Sequence, residues 1–152
     1  MAPDCPELER FLRGEIPAAQ FPHREHVRMA FEMLSRHDFA ETALHYSRAL
    51  RAMTAKAGNP QAFHQTVTIA FLSLIAERME AGRAADFAAF ARANPDLIEK
   101  SALARWYRPE RLASEAARRT FLLPDSASHG AQLPEHSPAP ATLRSTQQAE
   151  AK

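Results

Sequence analysis

Apolar residues recur at helical spacing along most of this chain. Between His23 and Arg36, Val27, Ala30, Phe31 and Leu34 follow the i, i+3, i+4, i+7 rule of a helix with one buried face. A second stripe runs through Phe39, Ala43, Tyr46, Leu50, Met53 and Ala57. Asp38 and Glu41 have capping-box spacing at its start, and Gly58 is a natural stop. Asn59-Pro60 offers an N-cap followed by proline at the first helical position. It predicts a third long helix from about Pro60 to Ala81, built on Phe63, Val67, Ala70, Phe71 and Leu74 and ended by Gly82.

Shorter elements fill the gaps. Pro6 to Arg13 reads as a first helix ended by Gly14, and Glu15 to Pro22 as an extended connector because of Pro17 and Pro22. Asp86 to Ala93 carries Phe87 and Phe90 one turn apart. Asn94-Pro95 repeats the start signal before a short helix over Leu97 to Ala104. Ser114 caps a last turn through Arg119, and Phe121-Leu122-Leu123 is placed to fold back on the bundle.

Composition supports an all-α fold. The chain has 152 residues but only 4 glycines, it is rich in alanine, and β-branched residues are sparse outside Val67-Thr68-Ile69. After Pro124 the pattern changes. Ser, Ala, Gln, Thr and Pro dominate, with only Leu133 and Leu143 as large apolar residues. Such a segment cannot bury enough apolar surface to offset its ordering entropy. The expectation is one helical bundle of about five to seven helices over residues 1–124 and a disordered tail over 125–152.

Charge narrows the partners. Lys plus Arg is 19 and Asp plus Glu is 18, with no polybasic run, so neither nucleic acid nor an anionic membrane is expected as the main partner. No apolar stretch reaches the roughly 18 residues of a membrane span. Met1 to Arg10 lacks the apolar core of a secretory signal, and the lone Cys5 fits a reducing compartment. A bacterial-type cytoplasm is the expected location.

Histidine is the unusual endowment, with 7 residues. His129 and His136 fall in the expected tail. Projection at roughly 100° per residue puts His45 away from the core stripe, while His37 follows a helix end and meets its negative dipole. His64 projects within about 60° of Val67, inside the apolar stripe, with Thr68 one turn on. His23 projects onto the core stripe of its own helix, close to Val27 and Ala30, and His26 lies one turn later at its edge. Two imidazoles at i, i+3 can share an ion, and His64 from a facing helix would supply a third nitrogen. Three nitrogens leave a coordination position open, as in catalytic rather than structural sites. The same three rings could instead anchor a polar pocket without metal, or each bond a carbonyl for structural reasons.

Other groups add less. A carboxylate-bridged di-iron site needs Glu-x-x-His pairs, but the residues three before His23, His26 and His64 are Gln20, His23 and Gln61. Glu25 and Tyr107 are the nearest acid–base candidates. Arg105-Trp106-Tyr107-Arg108 could meet a small organic anion or an aromatic ring, although a lone tryptophan commonly packs the core.

The run Phe21-Pro22-His23-Arg24-Glu25-His26-Val27-Arg28-Met29-Ala30-Phe31 resembles an F-x-H-x-x-H-[VL]-x-x-A-[WF] segment of small helical bacterial proteins of unassigned function. Their following Y-H-x-T segment has its counterpart in Phe63-His64-Gln65-Thr66, with Phe63 in place of tyrosine. Trp106 to Leu112 and Phe121 to Asp125 resemble their closing segment. The resemblance spans roughly residues 20 to 125 and implies that His23, His26 and His64 belong to one pattern; it implies no reaction.

Two functions follow as expectations. One is a metal-dependent enzyme acting on a small molecule, with a divalent ion (Zn or Fe) on His23, His26 and His64 and acid–base help from Glu25 or Tyr107. The other is a non-enzymatic helical module that binds a ligand or protein through a polar histidine pocket.

Overall fold

A computed structural model describes residues 5–125. The expected tail from 126 onward lies outside the described residues. Asp125 does not belong to that tail: its amide donates to the Trp106 carbonyl, and its carboxylate accepts from the Arg108 amide.

The fold is all-α, with no strand among the described residues. Its helices are α1 (Pro6–Leu12), α2 (His23–Leu34), α3 (Phe39–Lys56), α4 (Gln65–Gly82), α5 (Phe87–Ala93), α6 (Pro109–Ala113) and α7 (Glu115–Arg119). Short 3-10 segments occupy Ala18–Gln20, Pro60–Ala62, Pro95–Ile98 and Lys100–Arg105. Among the described residues, no helix is long and apolar enough to cross a membrane.

Local chemistry sets most boundaries. Asp38, Asp86 and Ser114 each accept a hydrogen bond from the amide three residues on, satisfying donors that a helix start leaves open. Gly14 and Gly58 adopt positive φ past the ends of α1 and α3. At the end of α4 the left-handed position falls one residue beyond the expected Gly82, on Arg83 (φ 45°).

α4 is the central helix. It packs against α2, α3, α5 and α7, so apolar residues surround it rather than lying on one stripe. Thr66, Thr68, Ala70, Leu72, Leu74 and Ile75 are its buried positions. The expected stripe members Val67 and Phe71 are only partly buried. On α3, Phe39 was expected in the core but is exposed, and Thr42 is the buried position there.

The start of α4 also differs from expectation. Asn59-Pro60 opens only one 3-10 turn, and the chain then extends through Phe63 (φ −66°, ψ 135°). His64 is the N-cap, with φ −135° and ψ 106°. A helical projection therefore does not apply to it.

Candidate functional site

A half-open cavity of about 290 Å³ lies between α2, α3 and α4. Its apolar wall comes from Val27 and Ala30 of α2, Leu50 of α3, and Val67, Phe71, Leu72 and Ile75 of α4. Its polar lining is His23, His26, Tyr46 and Thr68, with Lys100 exposed beside them. The partial exposure of Val67 and Phe71 fits their place on this wall rather than in the close-packed core.

His23 and His26 are brought together by the first turn of α2, with ring centroids 6.4 Å apart. The His23 Nε2 is 3.0 Å from the Leu97 carbonyl, and the ring meets Phe71 edge-on at 5.0 Å. The His26 Nε2 is 3.1 Å from the Phe21 carbonyl, and its ring lies against the Phe21 ring at 4.5 Å. A carbonyl only accepts, so each Nε2 carries the proton and donates. In the neutral ring this leaves Nδ1 unprotonated, and no described group bonds either Nδ1.

The environment favours the neutral rings. Burial pushes the His26 pKa down to about 4, with the His23 charge acting the same way and the Phe21 carbonyl opposing. Burial also lowers His23, offset in part by its bond to Leu97. Tyr46, buried across the cavity, donates its hydroxyl to the His26 carbonyl at 2.8 Å. Burial raises its phenol well above the ordinary range.

The third expected histidine does not join them. His64 is not on the cavity wall, and both its nitrogens are engaged. Nδ1 accepts from the Val67 amide at 3.2 Å, and Nε2 donates to the Leu112 carbonyl at 2.8 Å. The ring caps α4 and holds the chain at the end of α6. The projection that placed it beside His23 and His26 assumed a helix that begins only at Gln65. Among the described residues, no group of three or more His, Cys, Asp or Glu is placed to hold a metal ion.

The acid–base candidates also lie off this wall. Glu25 pairs with Arg28 at 2.7 Å. Tyr107 is buried, donates to the Leu122 carbonyl at 2.9 Å and borders a separate depression with Trp106, Phe121 and Pro124. Arg105 lies over the Trp106 ring at 5.5 Å. His45 is exposed as expected, and His37 sits 3.6 Å from Glu41.

Tyr46 and Lys100 are the cavity residues that sequence reasoning did not single out for chemistry. A tyrosine within an apolar helical stripe was the available signal for Tyr46, since a buried hydroxyl must find a partner. Lys100 is brought in where the helix expected over Leu97 to Ala104 is instead two 3-10 segments, broken at Glu99.

The chain matches no family model, no curated protein and no solved structure.

Proposed function

We propose that this protein is a small-molecule binding module, whose ligand is a mainly apolar compound seated between α2, α3 and α4. The observation that carries this reading is the cavity itself. A mostly apolar wall with a few fixed polar groups is the usual build of a ligand site. Its volume of about 290 Å³ is roughly twice that of an apolar cavity known to accept benzene. A one- or two-ring compound matches that size. His23 and His26 act as polar anchors, each held in one orientation by a carbonyl.

Ligand-observed NMR with a set of one- and two-ring compounds tests the reading. Binding is expected to wild type and to disappear in Val67→Phe, which fills the cavity from α4, while circular dichroism shows the helices retained. An absence of binding throughout, or binding unchanged in folded Val67→Phe, overturns it. Elemental analysis separates this from the metal-dependent enzyme. One equivalent of zinc or iron in wild type, lost in both His23→Ala and His26→Ala, would replace the binding module with a metal site.

A further inference from the structure

Resting on that cavity being a ligand site, we infer that it selects an apolar compound bearing a neutral hydrogen-bond donor, such as an alcohol or phenol, over one whose polar atom only accepts. Four polar side chains line the cavity beside Lys100, and each has given its proton to a backbone carbonyl. His23 gives Nε2–H to Leu97, and His26 gives Nε2–H to Phe21. The Tyr46 hydroxyl donates to His26, and the Thr68 hydroxyl donates to the His64 carbonyl at 2.8 Å.

What remains on all four is lone pairs: Nδ1 on each imidazole and the hydroxyl oxygens of Tyr46 and Thr68. A ligand hydroxyl entering among them can donate to an imidazole nitrogen, one of the better neutral acceptors in proteins. Among these four groups a ligand ketone, ether or fluorine meets acceptors only and loses its hydration without replacement. The low proton affinity of the two half-buried rings supports the same assignment, since a protonated ring would present a donor instead.

Lys100 is the one cationic donor on the wall, and it is exposed. Its ammonium is strongly hydrated there, so it offers an entering carboxylate a weak, screened attraction rather than a buried partner. A carboxylate would also have to shed its hydration among four groups that present lone pairs.

Three compounds of one shape test the inference: 2-naphthol, 2-fluoronaphthalene and 2-naphthoate, titrated into wild-type protein at neutral pH. The naphthol is expected to bind about tenfold tighter than the fluoro compound, the effect of about one buried hydrogen bond. Its advantage should shrink toward unity in His26→Leu or His23→Leu, whichever stays folded. Equal affinity for naphthol and fluoronaphthalene overturns the inference while leaving the binding site in place. Tighter naphthoate binding that is lost in Lys100→Gln also overturns it, making the ligand an anion held at the mouth. If none of the three binds, the cavity reading falls and this inference falls with it.

Discussion

Acidification from neutral pH toward pH 5 should destabilise this protein through His26, above the range where most carboxylates titrate. The ring sits under Phe21 with its pKa pushed down to about 4, whereas in the unfolded chain it returns to its ordinary value of 6.5. Between those values the unfolded chain binds a proton that the folded one refuses, so stability rises with pH across the window. The contribution is complete above pH 6.5, is lost as pH falls toward 4, and is absent below. At about 1.4 kcal/mol per pH unit, the drop from 6.5 to about 4 gives about 3.5 kcal/mol in total, of which about 2 kcal/mol is gone by pH 5. His23 is shifted in the same direction by its own burial and adds to the slope. Against a typical domain stability of about 5–15 kcal/mol, such a loss is readily measured. Urea unfolding followed by circular dichroism between pH 7.5 and pH 5 gives the curve, and His26→Leu should flatten most of it. The imidazole resonance of His26 gives the site directly. A midpoint near 6.5 for that resonance, or a wild-type urea midpoint that stays constant from pH 7 to pH 5, would refute the reasoning.

Two further outcomes concern the frame. Thr66→Val removes the hydroxyl that donates to the Thr120 carbonyl at 2.7 Å and accepts from the Leu122 amide at 3.0 Å. It is expected to cost about 1–2 kcal/mol in urea unfolding, with faster hydrogen exchange at Leu122; unchanged exchange there would show that the bonds do not hold the segment. Arg83→Gly relieves a left-handed residue at the end of α4 and is expected to stabilise by about 0.5–1 kcal/mol, less than the full relief because glycine loosens the unfolded chain. A lower melting temperature for that variant would mean the arginine side chain contributes more than its backbone strain costs.

Local signals were the most legible part of the sequence. The caps at Asp38 and Ser114 depend on residues three apart and stand where the pattern predicted, while Asp86, expected as the first residue of its helix, is that helix's cap. The α2 stripe was readable because that helix presents a recognisable apolar side; Val27, Ala30 and Phe31 are all buried. α4 was harder for a geometric reason. A helix surrounded by partners has no single face, so the expected stripe was right for Ala70 and Leu74 but missed Leu72 and Ile75 and held Val67 and Phe71, which are only partly buried. The site went wrong at one residue. Asn59-Pro60 is a true start signal, but for a 3-10 turn, and nothing local told that turn from the helix six residues later. His64 was therefore given a face it does not have. His23 and His26, inside a continuous helix, were correctly expected to lie together. The cavity itself was not legible, because it depends on how three helices diverge and not on any one of them.

The clasp between Thr66 and the 120–122 segment ties the start of the central helix to the end of the described chain. Its two bonds join residues 54 and 56 positions apart, so they close late: a chain must surrender more freedom to form them than to form any turn of α2, α3 or α4. The central helix therefore takes its first-turn seal from a part of the chain far along the sequence. Until that seal forms its opening turn is protected only by the His64 cap. A chain stopped short of Leu122 is expected to hold its helices together while leaving its most central one open at one end.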